Sequence, residues 1–501
     1  MRHRIWRAAL SGGVALAALA APMSPALAQA APAPAEAARK PVAAVTRHVG
    51  RFNGETVRYT ATVSEAFLKD DKGAPAATVT TIAYLRDGVK DRASRPVMFV
   101  FNGGPGASSS PLHMGALGPA IRTTPTTEGG DPWKTNGYSP LDAVDLVFID
   151  PVGTGFSRPF QGADTKAWYS RSGDAVAIKS VIRDWLKANG REDSPRYLAG
   201  ESYGTTRAAM MFKVGEPLRF DGVLLIALVG DASGREMPYV ASLPTMAAGA
   251  WRHERIDRAG RTVDQVYAEA LEFARTDYLA ALVKGSSLPA DERRRIAERM
   301  AALIGLPVGL ILKSDLRIEK NTWMFNLLKD QGLRTGLLDV QVTAPLEPGQ
   351  DGAIDDPALG VVPKRAPGAP AAPPPSPMQL GAIPSPAVGA YMTRALKYPS
   401  TETYYGVNFK VNAAWDYDGE NDANLALGKA MVADPKMRLF WAAGYYDLTT
   451  PAYAARYTLD QSGIPEDRLT AAYFAGPHGV YDGEDNLRVF TDAVRGFVTA
   501  P

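Results

Sequence analysis

The 501-residue chain contains no cysteine. That excludes disulfides, thiolate metal sites, a cysteine nucleophile and a lipid-anchored N-terminal Cys, and leaves stability to a packed core. Net charge is also scarce, +2 at neutral pH, and no Lys/Arg block follows residue 28, so there is no electrostatic case for nucleic acid as a partner. Histidine is rare, at five residues, which narrows the search for a catalytic base. Long apolar runs are missing except for "AALSGGVALAALAA" near the N-terminus, too short to read as a membrane span. That run follows Arg2, Arg4 and Arg7 and precedes small residues at Ala26 and Ala28. The order charged, apolar, small is that of a secretory signal peptide over 1–28. Its cleavage removes three arginines and no acid, which turns the mature chain slightly negative and leaves an exported, periplasmic or secreted, protein with no membrane span.

What is present reads as an ordered series. Residues 29–45 are an Ala/Pro-rich leader, expected to be flexible, and His48 is read with it, ahead of any sheet signal. Residues 56–88 alternate apolar and polar around a turn rich in Asp, Lys and Gly, as an antiparallel hairpin does. From residue 95, short apolar runs ("RPVMFVF", "VDLVFID", "SPRYLAG", "FDGVLLI") alternate with helical stretches such as "GDAVAIKSVIRDWLKANG", and the pattern returns in "KMRLFWAAG" and "RLTAAYF" before an amphipathic terminal helix. Buried strands alternating with helices predict a mostly parallel sheet covered on both faces, an α/β fold. The core is expected over 46–246 and 427–501. Residues 247–426 lack the alternation, are largely helical, and are expected to form a cap insertion. Inside it, 362–386 is too Pro-rich for helix or strand and is expected to be an exposed loop.

"LAGESYGTTR" places Ser202 between Gly200 and Gly204. In G-x-S-x-G between a strand and a helix, the glycines permit a sharp reversal that lifts the serine above the sheet. The simpler reading, a tight turn, fits the motif but not its flanks. A serine nucleophile needs a base. His3 lies in the signal peptide, His48 near the leader, and His253 in "WRHERIDRAGR", which reads as a solvated charged helix face. His113 precedes the serine, whereas α/β-hydrolases run serine, acid, histidine along the chain. His478 remains, in a loop after a strand, and Asp447 follows the preceding strand; Asp434 comes before that strand and reads as a helix-end residue. Backbone donors for an oxyanion are expected at Tyr203 and in the loop "FNGGPGASSS", where Gly103 and Gly104 let the main chain approach a substrate. A phosphate loop is disfavoured, because Pro105 removes a donor and no P-loop lysine follows.

"NGGPGASS", "DPVGTGFS", "GESYGT", "GYYDLTTP" and "GPHGVY" come in the order and spacing of the serine carboxypeptidase family, and the chain resembles a bacterial member of it over roughly 50–501. The resemblance implies an α/β-hydrolase with a helical cap, a peptide substrate, the triad Ser202, Asp447 and His478, and oxyanion donors at Gly104 and Tyr203. It also implies binding of the substrate's terminal carboxylate by Asn102 and Glu201, with no metal and no organic cofactor. An esterase or acyltransferase with the same triad, or a noncatalytic binder on a hydrolase scaffold, are the alternatives. The chain departs from the family at Phe101, usually Trp, at Ala107, usually a loop Cys, and at Ala116, usually a carboxylate that pairs with the residue at Glu201. Without that neighbour, Glu201 is expected to lose its proton at lower pH than a paired acid does.

Overall fold

The computed structural model describes residues 39–123, 132–347, 356–360, 377–419 and 422–500. The expected signal peptide, the expected leader up to residue 38, and residues 362–376 of the Pro-rich stretch lie outside the described residues.

Nine strands form one sheet: β1 (Ala43–Phe52), β2 (Glu55–Lys69), β3 (Pro75–Arg86), β4 (Val97–Phe101), β5 (Asp145–Asp150), β6 (Arg196–Glu201), β7 (Gly222–Ile226), β8 (Arg438–Gly444) and β9 (Leu469–Phe474). Their spatial order is β1-β2-β3-β5-β4-β6-β7-β8-β9. The three pairings from β1 to β5 are antiparallel and the remaining five are parallel. Strands β4 to β8 are nearly all apolar and buried, as expected where helices cover both faces. Their residues divide with period two: Val97, Phe99 and Phe101 enter one core cluster, Met98 and Val100 the other.

The first cluster takes in α1 (Arg171–Ala188), α2 (Tyr203–Met210) and helices from the stretch between β7 and β8, namely α3 (Met237–Arg252), α4 (Val263–Phe273) and α5 (Ala290–Ile304). The second is closed by α6 (Glu484–Thr499), whose Leu487, Phe490, Val494, Phe497 and Val498 recur at helical spacing on one buried face. Since α3 to α5 belong to the same apolar cluster as residues of the sheet, the described chain between β7 and β8 shares a core with the sheet. Among the described residues, no helix is long and apolar enough to cross a membrane.

Several local expectations are corrected. β1 begins at Ala43, so the strand takes in the last residues of the expected leader, and His48 sits on it, stacked on Tyr59 with ring centroids 5.3 Å apart. The alternation of exposed and half-buried residues along β1 suits an edge strand, whose weak apolar signal hides it in the sequence. Within the Pro-rich stretch, Pro377–Leu380 is a short helix and Ala382–Pro384 a strand paired with Tyr405–Asn408. Proline is tolerated there at a helix start and at a ladder end. His253 lies just past α3 and is not on a solvated helix face; its Nε2 is 2.6 Å from the Val340 carbonyl oxygen. His113 is fully buried, 4.2 Å from the Phe148 ring and bonded to the Tyr84 hydroxyl at 2.8 Å, inside the second core cluster.

Candidate active site

The five parallel pairings bring the C-terminal ends of β6, β8 and β9 to one edge of the sheet. Ser202 directly follows β6, Asp447 lies three residues past β8, and His478 four past β9. In open parallel sheets this edge is where ligands bind.

Ser202 has φ 59° and ψ −130°, a region that side-chain-bearing residues rarely occupy and that stores of order 1–3 kcal/mol of strain. The surroundings over-determine it. Its N–H donates to the Ile226 carbonyl at 3.0 Å, and its carbonyl accepts from both the Thr205 N–H, at 2.8 Å, and the Thr205 hydroxyl, at 2.7 Å. Gly200 is required by close approach, because a Cβ there would lie 2.3 Å from the Gly204 carbonyl oxygen. The motif is thus a steric device: the strand end and the first turn of α2 touch main chain to main chain, and the serine stands at the reversal.

The loop after β4 lies against that turn. A Cβ on Gly103 would be 2.3 Å from the Tyr203 nitrogen, so only glycine allows the contact. Tyr203 is the first residue of α2, and its N–H belongs to the set that a helix cannot satisfy internally. Gly104, at φ 98°, follows. Arg207, one turn along α2 and fully buried, fixes this loop by donating to the Asn102 carbonyl, and it is held in turn by Asp174 at 2.6 Å. Nothing in the sequence pattern marks Arg207 or Asp174.

Asp447 is fully buried and its carboxylate is saturated with donors. Oδ1 accepts from the Thr449 and Thr450 N–H groups, each at 2.9 Å; Oδ2 accepts from the Thr450 hydroxyl and lies 2.7 Å from His478 Nδ1. Burial works against ionisation of Asp447, but the adjacent imidazole and these donors outweigh it and hold the carboxyl below its ordinary value. His478 shows the converse: burial disfavours its charge, and the Asp447 carboxylate overrides burial and moves it above the ordinary histidine value. Asp434, the rejected alternative, caps a helix and pairs with Arg219 at 2.9 Å.

Both loops are held by residues from between β7 and β8. The Leu337 carbonyl accepts from the Leu448 N–H, and the Leu338 carbonyl from the His478 N–H, each at 2.8 Å. Asp356, buried, accepts from the Leu338 N–H at 2.8 Å. Main-chain contacts of this kind leave no sequence signature.

Glu201 and Asn102 meet. Asn102 Nδ2 donates to Glu201 Oε1 at 2.8 Å, and the Leu112 N–H donates to Asn102 Oδ1 at 3.1 Å. Ala116 is buried in the second core cluster and carries no carboxylate toward Glu201. Glu201 is nevertheless partnered: the Tyr481 hydroxyl donates to its Oε2 at 2.7 Å. Burial is the main influence on Glu201, lifting it to about 7; His478 and the Tyr481 hydrogen bond oppose the rise, while Asp482 and Asp447 add to it. Glu201, His478, Tyr481, Asp482 and Asp339 line a cavity of about 560 Å³ that also reaches Trp133. Among the described residues, no group of three or more His, Asp or Glu is arranged to hold a metal ion.

Residues 84–213, which run from β3 through the serine turn and α2, match the serine carboxypeptidase family. Serine carboxypeptidase-like 34 of Arabidopsis thaliana is 34% identical over 125 residues, covering 23% of either chain. Serine carboxypeptidase-like 29 of the same plant is 28% identical over 134 residues, covering 24% of this chain and 25% of its own length. The chain thus spans about a quarter of the length of the curated serine carboxypeptidase-like relatives it matches. Among solved structures, the prohormone-processing carboxypeptidase Kex1(delta)p of Saccharomyces cerevisiae superposes with a TM-score of 0.51 at 14% identity, covering 87% of this chain and 90% of that one. That likeness concerns the fold, which is the α/β-hydrolase fold.

Proposed function

We propose that the protein is an exported serine carboxypeptidase that removes residues from the C-terminus of peptides through an acyl-enzyme. Ser202 Oγ attacks the scissile carbonyl carbon while His478 takes its proton. The Gly104 and Tyr203 N–H groups stabilise the oxyanion. The C–N bond then breaks as His478 returns the proton to the departing amino acid, and water, deprotonated by the same histidine, releases the shortened peptide. Asp447 fixes the tautomer of His478 and stabilises the imidazolium. Asn102 and Glu201 face the terminal carboxylate, and the chain from 247 to 426 caps the site.

The observation that carries this reading is the Asp447–His478 pair, 2.7 Å apart with Asp447 fully buried, at the sheet edge where Ser202 stands on its strained turn. The family match over the serine segment supports the peptide as substrate.

The test is product analysis by mass spectrometry on a peptide mixture. Stepwise loss from the C-terminus, abolished in Ser202→Ala, is expected. Cleavage of esters alone, or shortening from the N-terminus, would sink the proposal.

A further inference from the structure

Glu201 ties three chain segments together. It directly precedes Ser202. Through Oε1 it holds Asn102, at the start of the Gly103–Gly104 loop; through Oε2 it holds Tyr481, three residues after His478. Tyr481 is itself gripped. It is 5% exposed, its ring centroid lies 5.7 Å from that of Phe490, and a Cβ on Gly115 would sit 3.2 Å from its ring. Its hydroxyl occupies one of the two oxygens of a carboxyl whose family counterpart, by the resemblance, pairs with a second acid.

A phenol and a carboxylic acid differ as partners. Two acids in contact share a proton, and the pair titrates as a unit. A buried phenol keeps its own proton throughout the working range and can only donate to the ionised acid or accept from the neutral one. Burial pushes the Tyr481 hydroxyl further from ionisation.

We propose that Tyr481 is a positioning residue for terminal-carboxylate recognition: its hydroxyl replaces the second acid at Glu201, clamps the histidine loop to the nucleophile strand, and sets the pH at which Glu201 gives up the proton it presents to the substrate's C-terminus, in a cavity it shares with Asp339 and Asp482. The proposal rests on the carboxypeptidase reading above. The other groups that act on Glu201 are His478, which favours its ionised form, and Asp482 and Asp447, which oppose it; Asn102 donates to its other oxygen.

The experiment is an infrared pH titration of the whole protein, following the protonated-carboxyl band that disappears in Glu201→Gln. Tyr481→Phe keeps the ring and removes a hydrogen bond that is stronger to the ionised acid than to the neutral one, so the midpoint should rise by about one pH unit. The ratio of kcat/KM for a peptide acid to that for its amide should fall with rising pH in the wild type, and that fall should move upward with the infrared midpoint. In a Glu201→Gln background, Tyr481→Phe should leave the ratio unchanged. If Tyr481→Phe does not fold, 3,5-difluorotyrosine at 481, a stronger donor of nearly the same shape, should lower the midpoint instead. An unmoved infrared midpoint in a folded variant, or a change in the ratio that persists in Glu201→Gln, overturns the proposal. A wild type that cleaves amides or esters but no peptide acid overturns the carboxypeptidase reading, while the infrared midpoint still decides whether Tyr481 controls Glu201.

Discussion

Gly200→Ala adds one methyl group and should cost most of the activity. The new Cβ would lie 2.3 Å from the Gly204 oxygen, 2.6 Å from the Gly204 carbonyl carbon and 3.0 Å from the Thr205 nitrogen. All three are main-chain atoms and cannot swing aside. Ordinary contact for a Cβ begins at 3.4 Å, so the end of β6 and the first turn of α2 must separate by about 1 Å. Ser202 and the Tyr203 N–H ride on that joint, whereas His478 is anchored from other loops. A misplacement of that size costs on the order of 10²-fold in turnover, and overpacking of this kind costs about 1–3 kcal/mol of stability. The control is Gly496→Ala, in the exposed interior of α6 with nothing within 4 Å of the added methyl. It should keep full activity and gain roughly 0.5–1 kcal/mol, since alanine outperforms glycine inside a helix. The assay is kcat/KM on a peptide acid alongside the urea-unfolding midpoint. A folded Gly200→Ala enzyme within a few-fold of wild-type activity would refute the claim that this contact sets the nucleophile's position.

Asp447→Asn should leave the fold intact, since its Oδ1 can still accept from the Thr449 and Thr450 N–H groups, but the amide imposes the wrong tautomer on His478 and turnover should fall by about 10⁴-fold; a loss under tenfold would argue against the assignment. Hydrolysis of a peptide amide requires neutral His478, so its rate should rise with pH through a midpoint above the ordinary histidine value, and in the residual activity of Asp447→Asn that midpoint should drop, because the carboxylate that raises it is gone. Ser202→Gly should abolish turnover yet raise the unfolding midpoint by relieving the positive φ, by about 1 kcal/mol; a destabilised variant would mean that the serine side chain contributes more than its backbone strain. Arg191→Met removes one guanidinium from buried Asp145, which Arg191 meets at 2.7 Å and Arg95 at 2.8 Å, and should cost about 3–5 kcal/mol in urea unfolding.

The parts legible in the sequence are those where physics restricts residue type. Buried parallel strands require apolar runs, so β4 to β8 stand out, and the period of α1 and α6 marks them as helices. Gly200 and Gly103 are visible because no other residue fits where two main chains touch. The contact between Asp447 and His478 was foreseen from chain order. The hidden features depend on contacts that any residue could make. β1 is an edge strand with only a half-buried face. The Leu337 and Leu338 carbonyls act through the main chain, so their leucines carry no hint of the role. Tyr481 was hidden for another reason. Reading Ala116 as a missing acid left Glu201 alone, since a tyrosine from a distant loop supplies a different chemical group at a different sequence position. Asp174 and Arg207 form a buried ion pair between two helices, and each alone looks like an ordinary helix charge.

The carbonyls of Leu337 and Leu338 change what it means to exchange the segment between β7 and β8. In a modular hydrolase, that segment could be traded to alter substrate preference while the catalytic frame stayed put. Here the graft would carry away the acceptors of the Leu448 and His478 N–H groups, the Asp356 brace behind them, and the Lys320 ammonium that bonds the Thr449 carbonyl at 3.0 Å. A donor segment must therefore reproduce the path of two consecutive peptide units before its pocket matters. On the proposed function, selectivity and catalytic competence would be inherited together in this scaffold, and chimeras are better drawn with residues 336–342 and 356 retained from the host.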